Sequence, residues 1–212
     1  MRNSILALGV LGFSASVRAQ EAAPVTLDSL MASMASIDGL EAHFREEKHI
    51  ALLAAPLVNE GTIHFVPPAR LLRQTERPSR SMVRIERDRL FASDAESESQ
   101  LDLSEAPAVR VFVQSFLWLL SGNRAELERA YDLRFEAEGQ RWQLVLRPRA
   151  APLTRMIREI RASGTGIVLH RLVVLETSGD SSNTEFSAVN TNRRHTPSEL
   201  QRLFGAASAP RQ

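Results

Sequence analysis

Five histidines, His43, His49, His64, His170 and His195, are the side chains best suited to hold a metal or move a proton, and their spacing supports neither role. None falls in an H-E-x-x-H pattern or another short ligand spacing. His43 and His49 share a face if the segment between them is a strand, but six residues of strand set them roughly 20 Å apart. The nearest paired carboxylates are Glu46-Glu47 and the pair Glu96 and Glu98. Neighbours on a strand point to opposite faces, so the first pair cannot converge on one substrate. The second lies in the acidic run from Asp94 to Glu105, which reads as a solvated loop with one short strand near Leu101 to Leu103. Nucleophile elbow, P-loop and dinucleotide glycine patterns do not occur. The sequence therefore predicts no catalytic residue, no metal site and no cofactor.

What remains is apolar surface. Phe44, Ile63, Phe65, Leu72, Val83, Ile85, Leu133, Phe135, Trp142, Leu144 and Leu146 occupy alternating positions in strand-like segments. They can line one concave face, or they can be the closed core of an ordinary sandwich or barrel. Alternation alone favours the core, since any half-buried strand shows it. The segment Val109 to Leu120, VRVFVQSFLWLL, differs: it has helix length and no clean polar face. Such a helix must be covered on every side, by its own core, a partner or a lipid.

The elements that position these residues follow in chain order. Thr26 caps a helix with Leu27, Leu30, Met31, Met34 and Ile37 at spacings of three and four, ending at Gly39. From Leu40 the period becomes two, and strands follow to Ser93, interrupted by a turn or loop around Pro56, by Pro67-Pro68 and by Arg77-Pro78. Pro107 opens the apolar helix and Gly122-Asn123 closes it, with a short charged helix to Ala130 behind it. Tyr131 to Ala137 and Arg141 to Arg147 form a hairpin turned at Glu138-Gly139, and at least three further strands reach Val189. Thr196-Pro197-Ser198-Glu199 is a capping box that starts a terminal helix through Phe204. The expected fold is α+β: about ten antiparallel strands in a strongly curved sheet, an incomplete barrel with helices lidding its concave side.

Residues 1–19 have the three-part layout of a secretory signal peptide, with cleavage expected after Ala19. Residues 20–205 form one domain, expected to be a monomer, and residues 206–212 a disordered tail. No cysteine is present, so thiolate metal sites and a disulfide framework are excluded, which favours a bacterial periplasm. Removing Arg2 and Arg18 with the leader from 26 basic residues leaves 24 against 25 acidic ones, a net charge near −1. Nucleic acid is therefore not an expected partner.

Several local strings resemble the LolA family of periplasmic lipoprotein carriers. They are Phe44 followed by Pro56-Leu57; Gly61-Thr62-Ile63-His64-Phe65 with Pro68; Arg70-Leu71-Leu72-Arg73 before Pro78; Ser115 to Asn123; and Trp142 to Pro148. The resemblance spans about Ser29 to Asn190. It implies an incomplete barrel around a cavity for acyl chains, with the alternating strand residues as its wall and Val111, Phe112, Phe116 and Leu119 as its lid. It also implies an acylated lipoprotein or related lipid as cargo, an inner-membrane donor and an outer-membrane acceptor. The family's lid-locking arginine corresponds to Pro67 here, which leaves Arg70 and Arg73 as substitutes. Two alternatives stand beside a general carrier: a lipid-sensing or protein-binding regulator on the same fold, and a carrier dedicated to a polyene or glycolipid biosynthetic pathway.

Overall fold

The computed structural model describes residues 24–205. The expected leader and the expected tail lie outside the described residues. Helix α1 (Leu27–Ala35) comes first, then strands β1 (Leu40–His49), β2 (Leu57–Val66), β3 (Arg70–Arg77), β4 (Ser81–Glu86), β5 (Arg89–Ser93) and β6 (Glu98–Asp102). Helices α2 (Pro107–Leu120) and α3 (Arg124–Ala130) follow. Strands β7 (Tyr131–Glu138), β8 (Arg141–Pro148), β9 (Ile157–Thr165), β10 (Val168–Glu176) and β11 (Ser181–Asn190) complete the sheet before helix α4 (Pro197–Phe204).

All eleven strands belong to one antiparallel sheet, in the order β6-β5-β4-β3-β2-β1-β11-β10-β9-β8-β7. Two meanders are joined through the pairing of β1 with β11. The sheet is not closed: β6 and β7, consecutive strands in the chain, are its two opposite edges. The α2–α3 segment therefore has to travel from one edge to the other, which carries it over the concave face. An amphipathic surface helix would leave one side of that crossing without a partner, and α2 is apolar on more than one side.

Local chemistry sets each helix. Thr26 and Ser29 form a reciprocal capping box at the start of α1, whose Leu30, Met31 and Met34 are buried. Pro107 begins α2 behind Ala106, which supplies no side-chain cap. Gly122, in the α2–α3 turn, has φ +64°, and a Cβ there would stand 2.0 Å from the Met31 carbonyl oxygen of α1. Only glycine permits both the left-handed turn and that close approach. Thr196 and Glu199 form the second capping box, at the start of α4.

The main core is continuous from α1 through α2 and α3 to the inner faces of the strands, and includes Leu30, Met34, Phe65, Leu117, Leu127 and Tyr131. A smaller cluster on the convex side joins Val66 and Leu72 to Phe204 of α4. Arg84, 2% exposed, donates to the Phe204 carbonyl at 2.8 Å and so fixes the end of α4 to the back of the sheet. Among the described residues no helix is long and apolar enough to cross a membrane.

Candidate functional site

Between α2 and the sheet lies a cavity of about 370 Å³. Its helical wall is Val109, Phe112, Val113, Phe116, Leu119 and Leu120 of α2, a stripe at spacings of three and four. Phe112 and Phe116 meet edge to face, with ring centroids 5.0 Å apart. Strand β1 supplies Leu40, Ala42, Phe44 and Glu46, its alternate positions, and β11 adds Ser182, Thr184, Phe186 and Val189 beside them. Leu71, Val83, Ile85 and Leu90 close one flank, and Leu169, Leu172 and Val174 of β10 the other.

Among the described residues, the only polar side chains of this lining are Glu46, Arg73, Ser182 and Thr184. Glu46 pairs directly with Thr184, and Lys48 with Ser182, so the polar residues gather toward the β1–β2 hairpin end. Leu40, at the other end of β1, lies six residues and roughly 20 Å away. The hairpin tip exposes Leu52, Leu53 and Leu57, with Leu52 94% accessible. The cavity is thus graded along its length, apolar near α1 and polar near the tip.

The lid is anchored unevenly. None of the first six residues of α2 is buried, whereas Val113, Ser115, Leu117, Leu119 and Leu120 are. Ser115 Oγ donates to the Val111 carbonyl at 2.7 Å and accepts from the Tyr131 hydroxyl at 2.5 Å, which ties the middle of the helix to β7. Burial pushes the Tyr131 phenol above its ordinary pKa, and the bond to Ser115 only partly offsets it. The phenol therefore stays protonated and able to donate.

The structure brings together part of the expected wall. Phe44, Ile63, Val83 and Ile85 line the cavity, as do Phe112, Phe116 and Leu119 of the expected lid. Val111 packs against the core outside the lining. Phe65 is fully buried in the core and does not reach the cavity. Leu133, Phe135, Trp142, Leu144 and Leu146 belong to β7 and β8 at the far edge, where the same core cluster as α1, α2 and α3 takes up the concave face. Leu72 is on the opposite side of the sheet, in the convex cluster with Phe204, and its neighbour Leu71 faces the cavity instead. Two adjacent leucines made the strand's parity ambiguous, and a shift of one residue exchanges the faces.

Sequence reasoning missed the contributions of β10 and β11. Leu172 and Val174 do alternate, but only the strand order, with β11 against β1, places that alternation at the centre of the sheet. The two arginines expected as substitutes for the lid-locking one part company. Arg70 stacks over Phe204 on the convex side, 5.3 Å from its centroid, whereas Arg73 enters the cavity, stacks over Phe44 and binds Glu46. Glu46 and Glu47 do diverge: Glu46 lines the cavity, and Glu47 pairs with Arg45 on the other face.

An unclosed antiparallel sheet whose crossover helix roofs an apolar cavity defines the class: an incomplete curved barrel with a helical lid. The chain belongs to the outer membrane lipoprotein carrier protein LolA-like family, whose model matches residues 19–206. Solved structures of similar fold include a LolA superfamily protein of Nitrosomonas europaea, 11% identical with TM-score 0.46, covering 83% of this chain and 97% of that one. The Pseudomonas aeruginosa MucA/MucB complex gives 15% identity and TM-score 0.49 over 82% of this chain and 59% of that one. The Mycobacterium tuberculosis lipoprotein LppX gives 14% and 0.39 over 77% and 91%. A search of curated protein sequences finds no match.

Proposed function

We propose that this protein is a periplasmic carrier that takes the acyl chains of a lipoprotein or related lipid into the cavity beneath α2 and passes them toward the outer membrane. The observation that carries the reading is the graded cavity, apolar along most of its length and polar only at the Glu46 and Arg73 end. Its volume falls within the ~300–1,000 Å³ typical of small-molecule sites. Each methylene withdrawn from water is worth roughly 0.8 kcal/mol, so one long chain represents on the order of 10 kcal/mol and cannot cross water bare.

Release needs a competitor for the same wall, and α2 is suited to that part. Its N-terminal half is half-exposed while its C-terminal half is fixed through Ser115 and Gly122. Cargo and the paired Phe112 and Phe116 rings compete for one apolar surface, so loading and lid closure are opposed equilibria. A carrier of this kind calls for an inner-membrane donor and an outer-membrane acceptor.

Native mass spectrometry and lipid extraction of protein purified from its own envelope test the reading, with Phe116→Glu as the control. A co-purifying acylated species that is absent from the variant supports the carrier. A protein that arrives empty and also takes up neither lipoprotein nor fatty acid in vitro overturns it in favour of a protein-binding role.

A further inference from the structure

On the convex face, behind the cavity, three potential metal ligands converge. Glu41 of β1 stands directly opposite His64 of β2 in the strand register, and His195, in the connection between β11 and α4, folds over both. One ligand atom from each lies within 4.8 Å of the other two. The His64 and His195 rings meet edge to face with centroids 5.9 Å apart.

Two of the nitrogens are orphaned. His64 is 8% exposed, yet its Nδ1 is buried with no hydrogen-bond partner among the described residues, and so is Nε2 of His195. The Glu41 carboxylate stands 3.5 Å from His64 Nδ1, too far for a good hydrogen bond. Buried polar atoms are almost always satisfied, so two unpartnered imidazole nitrogens beside one carboxylate call for a missing group.

We infer that Glu41, His64 and His195 form a binding site for a divalent transition cation of the zinc class, which clamps the start of α4 to the back of the sheet. Two imidazoles and one carboxylate, with water in the fourth position, are an accepted zinc ligand set. Bonds of about 2.0–2.2 Å require ligand atoms about 3.3 Å apart, so the cluster must contract slightly around the ion. His195 lies outside helix and strand and can make that movement. Arg193 donates to Oε2 of Glu41 at 2.8 Å and to Glu199 at 2.9 Å. Oε2 of Glu41 is the same oxygen that stands 3.5 Å from His64 Nδ1, so Arg193 holds the carboxylate turned toward the imidazole in the way outer-shell partners do, and Glu199 offsets part of its charge.

The test uses untagged, metal-stripped protein titrated calorimetrically with zinc chloride, with magnesium chloride as the hard-cation control. One zinc per chain, no magnesium binding, and a rise in Tm of about 5–10 °C at a hundredfold excess over Kd are expected. His195→Gln, which changes a residue outside the sheet, should weaken zinc binding at least tenfold while circular dichroism stays unchanged. His43→Gln, on the same strand as Glu41, should leave binding intact. Cobalt in place of zinc should give visible bands lost in His195→Gln. Absence of binding overturns the site, as does equal binding by His195→Gln and the unaltered protein.

Discussion

Arg73 and Glu46 form an ion pair of 2.7 Å inside the cavity, although their strands β3 and β1 are separated by β2. The guanidinium also lies 4.3 Å from the centroid of Phe44. On the intervening strand, the residue paired with Phe44 is Gly61, which has no side chain to block the reach. Asn59 donates to the same Glu46 oxygen at 3.0 Å. Arg73→Met should therefore cost about 1–3 kcal/mol, a figure kept below that of a fully buried pair because the arginine is 30% exposed. Glu46→Gln in the Arg73→Met background should cost clearly less than in the unaltered protein. Urea denaturation of the double-mutant cycle measures the coupling, and additive losses would contradict it.

The fold was largely legible because its local signals agree with one another. Turn prolines and glycines, the cap at Thr26, the capping box at Thr196 and period-two runs place every helix and almost every strand. Only β6, inside the acidic run, lacks an apolar pattern strong enough to define its length. The cavity lining was legible in part on α2, β1, β2 and β4 and missed on β10 and β11, for a topological reason. Periodicity says which residues share a face, but not whether helices or empty space fill that face. Leu144 and Phe44 alternate equally well, yet one is core and the other cavity wall. The cluster of Glu41, His64 and His195 has no short spacing to reveal it, because three separate segments build it.

That distinction between core and cavity wall is itself testable. Phe116→Glu places a charge on the lining of α2 and should lower uptake of a fluorescent fatty acid at least tenfold while the protein remains folded. Leu144→Ala removes a fully buried core side chain and should cost about 2–5 kcal/mol in stability. Its folded fraction should take up the probe as well as the unaltered protein does. The reverse pattern would move the cavity to β7 and β8.

Ser115 and Tyr131 should respond unequally to deletion. Tyr131→Phe leaves Ser115 still donating to the Val111 carbonyl, so the loss should be about 0.5–1.5 kcal/mol. Ser115→Ala strands a fully buried phenol without an acceptor, and about 1–3 kcal/mol is expected. Hydrogen exchange in α2 should rise more in Ser115→Ala than in Tyr131→Phe. Equal effects would mean that this bond does not hold the lid to β7.

Glu159 should govern part of the acid sensitivity. It is 6% exposed on β9, and burial alone would raise its pKa. Arg147, at 2.8 Å, and Arg161 both bond its carboxylate and more than offset burial, so the group sits below its ordinary 4.5. A carboxylate with a folded-state pKa below its unfolded value binds protons more readily when unfolded. Its contribution is therefore complete above about pH 4.5 and is lost as the pH falls through the lower folded value. Glu159→Gln should be less stable than the unaltered protein by about 1 kcal/mol at pH 7, a modest figure because both arginines are half-exposed. The two stability curves, measured by urea denaturation from pH 7 down to pH 3, should converge at the acid end. A constant gap across that range would show that the Arg147 and Arg161 pairs do not hold the carboxylate ionised.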